Sequence, residues 1–259
     1  MTSLKAMLKT TRMYSWMKVF RLYRSAARWT DDDTNRLSFY SHFIKSGDTV
    51  FDVGANTGNR TKVFRKLARR VIAVEPQEEC VAVLRRQFSR DAGVKVVSKA
   101  VGSKQGTAQI CIGSTDTISS LSREWIDAVQ RSGRFSHCEW GSQRQVELTT
   151  LDQLISDYGL PTYIKIDVEG YEFEVLQGLS QAVRALSFEF TPEYLAAAFK
   201  CIEHLASLGT FQFNYSVGES MKLVSSSWVS SGQIKRDLLK HRDDPSVFGD
   251  IYAQFYDHS

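Results

Sequence analysis

The sequence predicts an α/β fold built on a mostly parallel sheet, and three observations carry that prediction. Short apolar runs that suit strands alternate along most of the chain with segments of helical periodicity. Val50-Phe51-Asp52-Val53 runs as a buried strand into the turn Gly54-Ala55-Asn56-Thr57-Gly58, and from there into a helix through Val63, Phe64 and Leu67. Acidic residues stand at the carboxyl ends of successive strands, the edge at which open α/β sheets bind ligands. A length of 259 residues suits one such domain with an appended segment and can bury a full core.

Residues 1–30 form the appended segment. They carry Lys5, Lys9, Arg12, Lys18, Arg21, Arg24 and Arg28 and no acid, a formal +7 that leaves −3 for the remainder of the +4 total. Met13, Trp16, Met17, Phe20, Tyr23 and Ala27 share one helical face, so the segment reads as a basic amphipathic helix, broken near Thr10-Thr11. Docking on the domain is the favoured role, ahead of peripheral contact with an anionic membrane surface. The domain proper then spans residues 31–259. Asp31-Asp32-Asp33 can N-cap a helix from Asn35 to Ile44, and Gly47-Asp48 turns into the first strand.

After the glycine turn come strand Val71 to Val74 ending in Glu75-Pro76, helix Glu78 to Phe88 and strand Val94 to Val97. Gly106 to Ile112 extends as a further strand outside the first three. Ser114 to Gly141 is irregular apart from a helix over Arg123 to Arg131. Val146 to Thr149 alternates like a strand with one wet face. Thr150 and Gln153 stand at capping-box spacing before helix Leu151 to Tyr158, which Gly159 ends and Pro161 keeps from resuming. Strand Tyr163 to Ile166, loop Asp167-Val168-Glu169-Gly170 and helix Tyr171 to Gln177 follow. Leu186 to Phe190 is a strand, and Pro192 opens a helix that ends at Gly209. Thr210 to Tyr215 and Met221 to Val224 read as a hairpin around Gly218, and Ile251 to Phe255 as a last strand.

Composition excludes several classes. No apolar run is long enough to span a membrane, and charges interrupt every early apolar stretch, so no signal peptide is expected. Cys80, Cys111, Cys138 and Cys201 lack C-x-x-C spacing, which suits reduced thiols in a cytoplasmic protein. The adjacent His137 and Cys138 have no second pair of ligands and make a poor metal site. A positive balance concentrated in one helix is weak support for nucleic acid as a partner.

The turn decides what the sheet edge holds. Asp52-x-Gly54-x-Asn56-x-Gly58 has neither the G-x-G-x-x-G spacing of a dinucleotide site nor the lysine and hydroxyl of a phosphate loop. A nucleotide-linked oxidoreductase is therefore disfavoured. The pattern resembles the first motif of S-adenosylmethionine-dependent methyltransferases, with Asn56 in place of the middle glycine, and Asn tolerates positive φ. Glu75 lies 23 residues past Asp52, where an acid can accept from both ribose hydroxyls. Ala100 follows the third strand, where backbone groups can face an adenine edge. Asp167, Glu169 and Glu189 end the fourth and fifth strands. Carboxylates gathered on one edge repel one another unless protons or a cationic ligand relieve them. S-adenosylmethionine supplies an ammonium and a sulfonium, and so suits this edge better than a phosphate-rich dinucleotide.

Five motifs in order now make the resemblance specific. VFDVGANTG, VIAVEP, KAVGSKQGTA, TTLDQLI and YIKIDVEGYEFEVLQG resemble the FkbM family of class I methyltransferases over about residues 48–190. The resemblance implies a Rossmann-like, seven-stranded sheet with helices on both faces and its last strand antiparallel, and O-methyl transfer from S-adenosylmethionine. Carried over residue by residue, it places Asp52, Gly54, Ala55, Asn56 and Gly58 beside the methionine part of the donor. Glu75, with Pro76 after it, takes the ribose; Ala100 lies near adenine; Asp167 faces the ammonium. A hydroxyl acceptor must lose a proton, for which Glu169 is the first candidate, then Asp167, then Glu189. Asp167 and Glu189 could instead share a divalent cation, but no third oxygen ligand can be named, so a metal is not favoured. The loop after the fourth strand lacks the Pro-Pro-aromatic signature of base amino-methylation, and no cysteine follows a proline as in cytosine carbon methylation. That leaves a hydroxyl of a sugar, glycan or small metabolite as acceptor. A donor-binding scaffold without turnover is the alternative from another class.

Overall fold

The computed structural model describes residues 12–114, 118–136 and 138–256. The expected break near Thr10-Thr11 and His137 of the expected poor metal pair lie outside the described residues. The segment before the domain forms helix α1 (Arg12–Ala27). It docks on the domain: Phe20 and Tyr23 lie under the Arg86 guanidinium at 5.7 and 4.9 Å, and Lys62 Nζ donates to the carbonyls of Ala26 and Arg28 at 3.0 and 2.6 Å. Among the described residues no helix is long and apolar enough to cross a membrane.

Helix α2 (Asp31–Tyr40) starts four residues before the expected Asn35. Its N-cap is Thr30, not the aspartates. Thr30 Oγ1 accepts from the Asp33 amide at 3.3 Å while Asp33 Oδ2 accepts from the Thr30 amide at 2.8 Å, a complete capping box. The three acids thereby sit inside the first turn, where the helix dipole favours them.

Strands β1 (Thr49–Val53), β2 (Arg70–Val74), β3 (Val94–Val97), β8 (Tyr163–Ile166), β9 (Ala185–Phe190), β10 (Phe211–Tyr215) and β11 (Gly249–Phe255) form one sheet in the order β10-β11-β9-β8-β1-β2-β3. The five strands from β9 to β3 are parallel, and β11 runs antiparallel to both β9 and β10. The sheet is therefore mixed. The connecting helices are α3 (Asn59–Leu67), α4 (Glu78–Gln87), α6 (Leu151–Tyr158), α7 (Glu172–Gln177) and α8 (Leu195–Leu208). Strand residues alternate between two cores, as period-two geometry requires. Phe51, Val53, Ile164 and Phe188 face one; Val50, Tyr163 and Tyr252 face the other, with Tyr40, Phe43 and Phe64.

A second sheet, in the order β4-β7-β5-β6, joins β4 (Ala100–Val101), β5 (Gly106–Ile112), β6 (Ser119–Ser120) and β7 (Ser142–Thr149). It carries α5 (Arg123–Ser132), whose Trp125 is buried.

The expected hairpin after Tyr215 does not form. Residues 221–224 are irregular and Met221 has φ +50°, which no strand allows. β10 pairs instead with β11, whose Ile251, Tyr252 and Ala253 are fully buried. Asn214 holds the intervening loop by donating to the Ser225 and Ser227 carbonyls at 2.8 and 3.3 Å and accepting from the Ser225 amide at 3.1 Å. Helix α9 (Ser231–Leu239), which the sequence reading lacked, follows with Ser230 as its N-cap.

Candidate active site

A cleft of about 310 Å³ opens over the carboxyl ends of β1, β2 and β8. Its base is the turn after β1. Gly54 has φ +82°, and its amide donates to the Val74 carbonyl at 2.9 Å. A Cβ there would lie 1.7 Å from the Asp167 carbonyl oxygen, so the backbone of the loop after β8 can close on the turn only at a glycine. Asn56 takes the left-handed conformation expected of it, at φ +49°. Gly58, at φ +90°, precedes the first turn of α3.

Glu75 follows β2 with both oxygens engaged, one by this turn and one by its own segment. Oε2 accepts from the Asn56 amide at 2.8 Å and Oε1 from the Gln77 amide at 2.9 Å. Burial pushes its carboxyl up to about 7 against the pull of those two amides. Ala55, Asn56, Glu75 and Pro76 line the cleft together, and Ala100, Val101 and Ile110 line its end on the β3 side.

Asp52 is placed differently from the sequence reading. Its side chain does not line the cleft; it is buried under the turn, where Oδ2 accepts from Thr61 Oγ1 at 2.5 Å, and burial raises it to about 6. The reason is strand alternation. Asp52 shares its face of β1 with Val50, and α3 packs over that face and brings Thr61 down onto it.

The loop after β8 is held from three sides. Glu172 Oε1 accepts from the amides of Val168 and Gly170, both at 3.2 Å. Ser120 Oγ, from β6, donates to the Glu169 carbonyl at 2.6 Å. Trp125 packs so tightly on Gly170 that a Cβ there would fall 2.1 Å from the indole. Within this frame Glu169 is left-handed at φ +55°, a conformation that costs a non-glycine residue energy and turns its side chain to the cleft.

Asp167, Glu169 and Glu189 come together here, with one oxygen from each within 4.8 Å of the others. Asp167 and Glu169 line the cleft, whereas Glu189 lies behind the loop in a small cavity shared with Glu172 and Trp125. Burial, reinforced by the neighbouring carboxylates, holds Glu169 and Glu189 well above the usual carboxylate range. Glu172 rises to about 7, chiefly through burial. Glu169 thus brings a third carboxylate oxygen to the pair Asp167 and Glu189, which the sequence could not name. The trio has the donor set to hold a divalent cation or to share protons.

Sequence reasoning missed two further features. Lys165, in mid-strand and 1% exposed, donates to Asp250 Oδ1 at 3.0 Å and to the Ile166 carbonyl at 3.3 Å, and lies 3.3 Å from Asp167 Oδ2. A lysine inside an otherwise apolar strand was the available signal. Arg36, Arg60 and Glu219 line the cleft's other end. The signal for Arg60 was a cation in a helix's first turn, where the dipole disfavours one.

The chain matches the Methyltransferase FkbM domain over residues 52–215, more than half its length and including the glycine turn, the acid after β2 and the loop after β8. Among solved structures it is similar to precorrin-6y C5,15-methyltransferase from Geobacter metallireducens, at 10% identity and TM-score 0.46, covering 86% of this chain and 87% of that one. It is similar also to methyltransferase FkbM from Methylobacillus flagellatus, at 14% identity and TM-score 0.45, covering 90% of this chain but 58% of that one. An S-adenosylmethionine-dependent O-methyltransferase from Thermotoga maritima shares 11% identity at TM-score 0.41, over 86% of this chain and 66% of that one. These likenesses are too distant to say anything of the acceptor, and no curated protein matches. The family match spans both the turn and the acidic loop that build the cleft, and on that ground the chain belongs to the FkbM family of S-adenosylmethionine-dependent methyltransferases.

Proposed function

We propose that the protein transfers a methyl group from S-adenosylmethionine to a hydroxyl of a sugar, a glycan or a small metabolite. The observation that carries this reading is the set of carboxyls beside the glycine turn. Glu75, Asp167 and Glu169 line that part of the cleft, while Arg36, Arg60 and Lys99 line other parts. The acidic part fits the cationic groups of the donor. Bound S-adenosylmethionine supplies a methyl group already activated by a sulfonium. The remaining work falls to the chain's own residues. Glu75 would accept hydrogen bonds from the ribose hydroxyls, Asp167 would face the ammonium, and Ala100 and Val101 would flank the adenine. Glu169 would take the proton of the acceptor hydroxyl, with Glu189 behind it as a relay or an ion-sharing partner. Its raised pKa makes the ionised carboxylate a stronger proton acceptor.

The experiment is a methyl-release assay with hydroxylated acceptors, paired with calorimetry against S-adenosylhomocysteine. Glu169→Gln should bind the donor product as the wild type does, yet turn over about a hundredfold or more slowly. The wild-type rate should rise with pH as Glu169 ionises, and the variant should lack that rise. Normal turnover by the variant would remove Glu169 from the chemistry. Donor binding with no turnover on any acceptor would favour a non-catalytic scaffold.

A further inference from the structure

The charge of this chain is unevenly placed. Residues 1–100 hold 20 basic and 9 acidic side chains, a formal +11, which leaves −7 for the remainder of the +4 total. Much of that excess comes to one outer surface, built by α1, α3 and α4. α1 lies along α4, with Tyr23 under the Arg86 guanidinium. Its carboxyl end meets α3 at Trp29, over which Lys62 and Lys66 stand at 6.0 and 5.5 Å. α3 and α4 lead into the neighbouring parallel strands β2 and β3, so both end at the amino edge of the sheet, opposite the cleft. Arg65 Nε ties the two together by donating to Asp91 Oδ1, in the loop after α4, at 2.8 Å.

Arg24, Arg28, Lys66, Arg69, Arg85 and Arg90 are exposed on this surface and make no ion pair among the described residues. The acids of the adjoining segments do little to offset them. Asp33 is bound by Arg36 and Lys62, Asp91 by Arg65 and Glu79 by Arg144. Asp31 and Asp32 begin α2 beyond Trp29, and Glu78 stands at the opposite end of α4. The dipoles of α1, α3 and α4 favour Arg24, Lys66 and Arg85 in their last turns, but Arg28, Arg69 and Arg90 lie beyond the helices. A surface that gathers like charge against its own repulsion suits an anionic partner.

The form of the surface selects the partner. Its cations stand on the outer sides of helices and do not line a groove. Trp29, 37% exposed, is the one large apolar side chain exposed there among the described residues. A single-stranded nucleic acid calls for several stacking rings along a groove, and a duplex for an element that enters one. A bilayer of anionic lipids needs neither, and an indole settles at headgroup level. The buried face of α1 is already spent on the domain, with Ala26 2% exposed, so nothing of that helix is left to insert. We infer that this surface docks the protein on an anionic phospholipid bilayer, through charge and without insertion.

The test is co-sedimentation of the full chain with phosphatidylserine-containing vesicles, with pure phosphatidylcholine vesicles as the comparison. At about 0.1 M salt the protein should bind the first at least about tenfold more tightly, and about 1 M salt should release it. Replacing Arg24, Arg69, Arg85 and Arg90 together by Gln should weaken binding about a hundredfold or more. Arg69→Gln with Arg90→Gln, both outside the helices, should lose about tenfold or more and serves if the four-site variant fails to fold. A control that removes the same charge elsewhere, with Lys104, Arg123, Arg131 and Arg184 replaced by Gln, should lose less than about threefold. Equal losses in the control would make the attraction one of overall charge and overturn the docking surface. Equal binding to both kinds of vesicle, or to neither, would overturn it too. Single-stranded RNA that binds this surface in the same buffer while phosphatidylserine vesicles do not would assign the surface to nucleic acid instead.

Discussion

Glu75 offers a direct test of the donor site, because its proton and the donor's ribose compete for the same two oxygens. The carboxyl is 3% exposed, and burial lifts it from 4.5 to about 7 even though two backbone amides oppose the shift. A group titrating near pH 7 is about nine-tenths ionised at pH 8 and about one-tenth at pH 6. Ribose hydroxyls donate hydrogen bonds, so they favour the ionised form and lower the Glu75 pKa on binding. Below pH 7 each binding event must expel a proton, and affinity should fall about tenfold between pH 8 and pH 6. Calorimetry with S-adenosylhomocysteine at pH 6, 7 and 8 reads the affinity. Repeating the pH 6 titration in two buffers of different ionisation heat counts the proton released. Glu75→Gln should bind more weakly at pH 8 and show a flatter profile. Wild-type affinity that is level across this range, with no proton released, would refute the assignment of Glu75 to the ribose.

Three further outcomes follow from the frame of the site. Lys165→Met strands Asp250 as an unpaired buried charge and should destabilise the fold by about 3–5 kcal/mol in urea unfolding, with Asp250→Asn added to it restoring a good part of the loss. Gly54→Ala sets a Cβ 1.7 Å from the Asp167 carbonyl at a left-handed φ; it should cost more than about 2 kcal/mol and abolish donor binding in calorimetry. Glu172 has its folded-state carboxyl raised from 4.5 to about 7, so the stability it contributes is full below pH 4.5 and is lost as pH rises through about 7. Melting temperatures between pH 5 and 8 should therefore decline less steeply in Glu172→Gln than in the wild type.

The parts of this molecule that were legible beforehand are those whose causes are local. A strand stopped by glycines before a helix announces itself in nine residues, and the left-handed Asn56 follows from side-chain type alone. The loop Asp167-Val168-Glu169-Gly170 is equally compact, although nothing in it announces that Glu169 would turn left-handed. That conformation is imposed from outside by Ser120, Trp125 and Glu172. Asp52 is instructive in the other direction: alternation along β1 already put it on the face of Val50, but its place at the strand's end and the motif resemblance drew it toward the cleft. The cationic end was hidden because Arg36 and Glu219 stand 183 residues apart and meet only once the sheet is assembled. The mistaken hairpin after Tyr215 has the same origin, since the true partner of β10 lies beyond a whole helix.

The placement of β11 has a bearing on how the protein is made. This strand emerges from the ribosome after β10, yet it slots between β9 and β10 and carries Asp250 to the ammonium of Lys165. Until those residues have been synthesised, two neighbouring ribbons cannot zip, and a cation in the middle of the sheet lacks the nearer of its two carboxylate partners. Assembly of that half of the domain must therefore wait for a late, long-range event, and a nascent chain halted before Gly249 would present open β9 and β10 edges to chaperones.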